Sequence, residues 1–408
     1  MVNLVDKIHE YVATRDTTGL VAFMKENGLV LDNKHGTITY GNLLEKKQEA
    51  AYLDQSQHLK KIKLNSCYGS ILSVASRFND PRIGQSVTLS GRCITKHMSG
   101  FVNEHFTGEY DYLGETIIYN DTDSAYFSIW PTVKDQVDSG EITLTADVVI
   151  DMYDQVANAV NGSFPQFMKS AFNCPNEFGS IIKCGREMVA SSAYFIVKKR
   201  YAAMMVDKDG IRYDVDGKPG KVKAMGLDLR RSDTPVIVQK FLKSLLQEIL
   251  TSDSESKIIE LVKEFKTKFK NLEPWEMGSP KRGNRLSFYK ELIDIGKGNK
   301  VPGHVRAALN WNMFRELYKD TTSKEITDGT KLVVLALKKN PSKCTSIAYP
   351  IDVTKLPAWF TELPFDTAAM MASVVDKRIE NLLCALPNWN DLERKLNKKS
   401  NMLDDFFS

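Results

Sequence analysis

The chain has 408 residues, enough for two or three domains with cores of their own. Apolar residues make up 42% and charged residues 26%, the proportions of an ordinary globular protein, and 55 basic residues against 51 acidic ones leave a net charge of +4. With charges so nearly balanced, a nucleic-acid surface can come only from local clustering. Six cysteines (67, 93, 174, 184, 344 and 384) show neither CxxC spacing nor pairing with histidine, which argues against zinc and suits a reducing cytoplasm. There is no signal peptide, no lipidation motif and no apolar run of about 18 residues, so the sequence predicts a soluble intracellular protein with no membrane partner.

The first forty residues carry a short helical pattern (Leu4, Ile8, Tyr11, Val12), a second helix over Leu20–Asn27, and a turn at Asn33-Lys34-His35-Gly36. No chemistry is legible there. From Leu43 to Tyr68 the pattern is helical without internal Pro or Gly, and Gly69 reads as its stop signal. Lys61, Asn65 and Tyr68 are spaced i, i+4, i+7 and share one face. At 1.5 Å per residue they span about 10 Å, close to the length of a nucleotide. Taken alone, Lys61 also reads as a solvated charge and Tyr68 as a core aromatic.

A helix is expected over Gln85–Val102. Two β-prone runs follow, Thr116–Tyr119 and Ala125–Trp130, joined by Asn120-Asp121-Thr122-Asp123-Ser124, a hairpin by composition. Carboxylates two residues apart at its turn offer the oxygen ligands that hard divalent cations require, although Asn-Asp-Thr-Asp is equally ordinary turn chemistry. Residues 148–172 read as an amphipathic helix disturbed at Pro165. Strands are expected at Ser180–Ile182, Met188–Phe195, Tyr201–Val206 and Ile211–Tyr213, the last two joined by a turn at Asp209-Gly210. Helices are expected over Pro235–Leu250 and Glu255–Leu272, then a basic loop Lys281-Arg282-Gly283-Asn284-Arg285, extended by Lys300 through Arg306 with His304. An apolar strand follows at Lys331–Leu337, then mixed helices to about Leu396. The fold class is α+β.

Four of these stretches, in order, resemble the family B DNA polymerases. Lys61-x-x-x-Asn65-Ser66-x-Tyr68-Gly69 resembles motif B, with Cys67 where Leu is commoner. Tyr119-Asn120-Asp121-Thr122-Asp123-Ser124 resembles motif C, with Asn120 in place of Gly, a residue that tolerates the left-handed backbone a turn asks for. Lys198-Lys199-Arg200-Tyr201 resembles the family's Lys-Lys-Arg-Tyr motif. Lys221–Pro235 resembles the junction between palm and thumb. The resemblance runs from about residue 43 to the C-terminus and is nearest to replicative polymerases of large myovirus-type bacteriophages.

That resemblance implies a palm built on an antiparallel sheet with helices, a mostly helical thumb and a partial fingers helix. The implied boundaries are 1–69 for the C-terminal half of the fingers, 70–228 for the palm, 229–394 for the thumb and 395–408 for a tail. It implies Lys61 as triphosphate ligand, with Asn65 and Tyr68 as the floor of the nucleotide pocket. Asp123 would hold magnesium, two ions in all, with Asp121 a weaker or structural partner. Glu187 is a further acidic candidate, although the position upstream of it is Gly185. Lys198, Lys199, Arg200 and Tyr201 would meet primer–template DNA, Lys199 and Arg200 from the minor groove, where N3 and O2 acceptors are common to every base pair. Lys223 and Gly226, with Lys281, Arg282 and Arg285 of the thumb, would meet the phosphate backbone. Leu403, Phe406 and Phe407 resemble a sliding-clamp-binding peptide.

Motif A, the first fingers helix and the exonuclease carboxylates have no counterpart in this sequence. Residue 1 then falls near the fingers tip, an exposed hairpin where a chain tolerates a break. The expectation is a C-terminal subunit of a split polymerase, completed by a partner carrying those parts, in the cytoplasm of an infected bacterium. The alternatives are a non-catalytic DNA- and clamp-binding subunit and an α+β interaction protein.

Overall fold

The computed structural model describes residues 4–33, 35–252 and 254–397. The chain divides into two units, Met1–Thr95 and Lys96–Ser408.

The first unit begins with α1 (Leu4–Thr14) and α2 (Thr17–Glu26). Asp16 caps α2 by accepting from the Gly19 amide at 2.8 Å, a donor the first turn leaves over. An antiparallel hairpin follows, β1 (Leu29–Asp32) with β2 (Thr37–Tyr40). The expected turn lies between these strands, but the strands themselves are four residues each and too short to show an alternating pattern.

Helix α3 (Leu43–Leu72) runs for 30 residues, through Gly69. The expected stop is therefore corrected. One glycine costs a helix only about 1 kcal/mol against alanine. The true end lies where Ser73 N bonds Ser70 O at 3.2 Å. Just beyond it, Ile71 O accepts from Asp80 N at 2.9 Å and from Asn79 Nδ2 at 3.0 Å. None of the residues of α3 is buried. Among the described residues up to Thr95, Leu29 is the only buried hydrophobic side chain.

Helix α4 (Pro81–Thr107) becomes buried in its C-terminal half, at His97, Ser99, Val102 and Asn103. Its polar side chains position the next segment. Asn103 Oδ1 accepts from Thr116 N at 3.3 Å and Thr116 Oγ1 at 2.9 Å, while its Nδ2 donates to Glu109 O at 2.9 Å. The hairpin β3 (Ile117–Asp121) and β4 (Ser124–Phe127) forms a two-stranded sheet of its own. Then come α5 (Trp130–Asp138), α6 (Ala146–Phe172), which continues through Pro165, and α7 (Asn176–Gly179).

The strand expected at Ser180–Ile182 is absent. Asn161 of α6 takes up the backbone pairing a sheet would have supplied there: its side chain accepts from Cys184 N at 2.8 Å and donates to Cys184 O at 2.9 Å. The larger sheet has β6 (Arg200–Lys208) in the middle, paired with β5 (Met188–Val197) on one side and with β7 (Ile211–Arg212) and β8 (Lys221–Met225) on the other. Tyr201–Asp207 are buried without interruption, as a strand covered on both faces should be.

The C-terminal region contains α8 (Val236–Thr251), α9 (Glu255–Lys270), β9 (Ser279–Arg282), α10 (Leu286–Asp294) and α11 (Gly303–Leu317). It continues with β10 (Lys331–Ala336), β11 (Ser346–Pro350), α12 (Ala358–Thr361), α13 (Thr367–Met370), α14 (Lys377–Leu383) and α15 (Trp389–Asn397). A π-helical turn, Met371–Asp376, joins α13 to α14. Part of the expected basic loop is strand β9, whose Lys281 and Arg282 pair with Leu332 and Lys331 of β10. The third strand of that sheet, β11, falls where the sequence suggested only helices. One continuous core runs from Ala202, Met204 and Ala224 of the larger sheet through α8, α9, α11, β10 and β11 to Leu392 of α15. The fold is α+β, as expected.

Candidate active site

The hairpin β3–β4 closes through Thr122 and Asp123, with Asp121 opposite Ser124 and Asn120 opposite Ala125. Thr122 takes the left-handed conformation, φ +56°. Asn120, expected in that role, is in the extended strand instead, and its Oδ1 accepts from Ser99 Oγ at 2.8 Å. Asp121 O accepts from Asp123 N at 2.7 Å and from Ser124 Oγ at 3.0 Å, which fixes the turn.

The two carboxylates of this turn have different fates. Asp121 accepts from Lys199 Nζ at 2.5 and 2.8 Å and from Thr122 Oγ1 at 3.1 Å. Its pKa lies below the ordinary carboxylate value, chiefly through the Lys199 hydrogen bond and against the opposing effect of burial. Asp123 is exposed, and its carboxylate forms no hydrogen bond or ion pair with any described residue.

Lys199 reaches Asp121 from the turn between β5 and β6. Its φ is +63°, and its amide donates to Tyr119 Oη at 3.0 Å. Gly226, just after β8, backs this turn. Its φ is +64°, and a Cβ there would lie 2.2 Å from Lys199 O. The close approach that requires glycine is thus an approach to the Lys199 turn. Behind it, Tyr126 Oη and Tyr201 Oη are 2.8 Å apart, and the rings of Tyr119, Tyr126, Phe195 and Tyr201 lie 5.2 to 6.0 Å apart. Burial raises the Tyr201 phenol well above its usual pKa. Tyr119, Tyr126, Phe195 and Ser99 support the site without having been assigned to it from sequence. The alternation of Tyr119 and Asp121 on β3 is the one signal that could have flagged any of them.

The remaining candidates separate into groups. Lys198 is exposed, and Arg200 approaches Asp228 at 4.0 Å. Lys223 pairs with Glu187 at 3.1 Å, so two candidates of opposite sign meet each other. Lys281 holds Asp233 at 2.7 Å. Arg282 is exposed, and Arg285, with φ +58°, places its guanidinium 4.9 Å from the Phe288 ring centre. Arg306 donates through Nη2 alone to Gly298 O at 3.1 Å and Val301 O at 3.3 Å. Lys61 and Asn65 are exposed on α3 and Tyr68 is half-buried, all in the first unit. Leu403, Phe406 and Phe407 lie outside the described residues.

A magnesium site needs several oxygen ligands. Asp123 fits as one of them. Among the described residues no group of three or more His, Cys, Asp or Glu side chains is placed to hold a metal. No described helix is long and apolar enough to cross a membrane.

Residues 39–143 match the family model for DNA polymerase family B. The chain is 29% identical over 304 residues to the DNA-directed DNA polymerase of Escherichia phage RB69, covering 71% of this chain and 32% of that protein. It is 26% identical over 359 residues to the DNA-directed DNA polymerase of Enterobacteria phage T4, covering 82% of this chain and 36% of the relative. The catalytic subunit of DNA polymerase delta from Oryza sativa subsp. japonica is 27% identical over 218 residues, 53% of this chain and 17% of that subunit. The chain thus spans about a third of the length of the phage relatives. With the family's domain matched at 39–143 and phage DNA-directed DNA polymerases matched over most of its length, the chain is similar to the family B DNA polymerases.

Proposed function

We propose that this chain is the C-terminal subunit of a replicative DNA-directed DNA polymerase, and that a second polypeptide completes its active site. The observation that carries this reading is the exposed, unpaired carboxylate of Asp123 beside an Asp121 already neutralised by Lys199. One free carboxylate cannot hold two divalent ions. The partner would bring motif A, the exonuclease and the first half of the fingers. The β3–β4 hairpin pairs with no third strand among the described residues, which leaves edges at which such a partner could add one. Helix α3 exposes Leu44, Leu53, Leu59, Ile62 and Leu64, an apolar surface suited to burial against another chain.

Two magnesium ions, shared by Asp123 and the partner, would supply activation of the primer 3′ hydroxyl and neutralisation of the triphosphate. This chain's other residues bind and orient. Lys61 meets the triphosphate, and Asn65 and Tyr68 floor the nucleotide pocket. Lys199 and Arg200 donate into the minor groove from a turn whose conformation Gly226 and Tyr119 enforce. Lys198, Tyr201, Lys223, Lys281, Arg282 and Arg285 hold the primer–template. Residues 1–69 act as fingers, 70–228 as palm, 229–394 as thumb and 395–408 as a tether to the sliding clamp, in the cytoplasm of the bacterial host.

Primer extension by the chain alone, by the companion chain co-purified from the native source, and by their mixture tests the proposal. Synthesis is expected only in the mixture and is lost with Asp123→Ala. Extension by the chain alone that Asp123→Ala abolishes would overturn the need for a partner. Equal synthesis by mixtures containing wild type and Asp123→Ala would instead make this chain a non-catalytic DNA- and clamp-binding subunit.

A further inference from the structure

The cations assigned to the duplex are not bare. Lys281 donates to Asp233 Oδ2 at 2.7 Å. The same carboxylate is gripped by Arg231, with Nε to Oδ1 at 2.9 Å and Nη2 to Oδ2 at 3.0 Å. Lys223 donates to Glu187 Oε1 at 3.1 Å. A bidentate guanidinium with an ammonium on one oxyanion is also the donor geometry that suits a backbone phosphate. Lys281 lies on β9 and Asp233 just before α8, 48 positions apart in sequence, so this pairing is a product of the fold and not of neighbouring residues. Glu187 is 62% exposed and Lys281 35%, against 21% for Lys223 and 20% for Asp233, so each pair has one side open to a ligand in solution. Glu187 lies just before β5 and Asp233 in the loop before α8, and each accepts from one of the lysines assigned to the duplex.

We propose that Asp233 and Glu187 are tethered counter-ions: each neutralises a duplex-binding lysine in the free chain, and DNA phosphate must displace it. Non-specific affinity for DNA is thereby held below what the cations alone would give. A replicative enzyme gains by this, because a thumb that grips too tightly cannot translocate. The displaced carboxylate stays tethered beside the phosphate and offsets the charge its lysine brings, so fewer of the counterions condensed on the DNA are released and these lysines contribute less to the salt dependence than free ones would. The inference rests on the assignment of Lys223 and Lys281 to DNA made above.

The test is binding of a fluorescent primer–template duplex across a salt series, without metal or nucleotide, by wild type, Asp233→Asn, Asp233→Glu and Asp352→Asn. Asp352 pairs with Lys324 at 2.5 Å and controls for the change in net charge. Asp233→Asn is expected to bind roughly five- to tenfold more tightly near 0.1 M salt, with a log–log slope steeper by about 0.9. Asp233→Glu and Asp352→Asn should match wild type. If Asp233→Asn does not fold, Glu187→Gln, at an exposed position, carries the same expectation and the same refutation. An unchanged slope in the neutralised variant, or an equal gain in Asp352→Asn, overturns the proposal. Failure of wild type to bind duplex even at low salt overturns the DNA-binding assignment instead.

Discussion

Lys199 holds Asp121 through both carboxylate oxygens, at 2.5 and 2.8 Å, across 78 positions of sequence. The pair ties the turn between β5 and β6 to the tip of β3–β4 and divides the labour of the two motif carboxylates. Asp121 fixes the geometry of the turn, while the Asp123 carboxylate stands exposed without a described partner.

Substitutions at the two should therefore part company. Asp123→Ala is expected to leave the thermal midpoint unchanged, since its carboxylate has no described partner, and to lower synthesis by the reconstituted enzyme at least about 100-fold. Asp121→Asn is expected to lower the midpoint and weaken DNA binding while some synthesis survives. Thermal melts and primer extension on the same preparations check both outcomes.

Gly226→Ala tests the support behind Lys199. The new Cβ would stand 2.2 Å from Lys199 O, on a backbone at φ +64° that alanine resists. A loss of about 2 kcal/mol in urea unfolding is expected. Duplex affinity should fall with it, because the turn must shift.

His97 gives the pH dependence. It is 8% exposed, its ring stacks on Phe167 at 3.9 Å, and its nitrogens meet Tyr110 Oη at 2.8 Å and Ser163 Oγ at 2.9 Å. Burial lowers its pKa. The unfolded chain takes up a proton near pH 6.5 that the folded one still refuses. Stability is therefore whole above about pH 6.5 and is lost progressively as pH falls through the folded value. Chemical unfolding between about pH 5 and 8 should show this slope in wild type and a shallower one in His97→Gln.

Arg186 is the salt link of the larger sheet. It contacts Asp154 at 2.7 Å and pairs closely with Asp207, which is 2% exposed. Arg186→Met leaves that carboxylate buried with only the Gly210 amide at 3.2 Å, and should cost about 3 kcal/mol in denaturant unfolding. Arg186→Met combined with Asp207→Leu should recover most of that loss.

The local elements that carry the candidate residues are legible in the sequence because each is set by its own stretch of chain. The hairpin around Asp121 and the paired turn at Lys199 announce themselves through β-prone flanks and polar tips. The amphipathic α6, α8 and α9 do so through their period. What joins those stretches was not legible: Asp121 with Lys199, Glu187 with Lys223 and Asp233 with Lys281 are meetings of distant segments, and no spacing rule encodes them. Local signals also misled where a tertiary partner decided the outcome. Gly69 does not stop α3, and Ser180–Ile182 form no strand: Ile181 N turns back to Phe178 O at 3.2 Å, and Asn161 pins the backbone at Cys184 just after them.

A helix of 30 residues with no buried side chain has little but its own ladder to keep it wound. Its amides should therefore trade deuterium with solvent early, while those of α8, which buries six side chains, hold out until global opening. The assembled enzyme should reverse that order locally, so slowed exchange between Leu43 and Leu72 would report the arrival of a companion chain before any nucleotide is added.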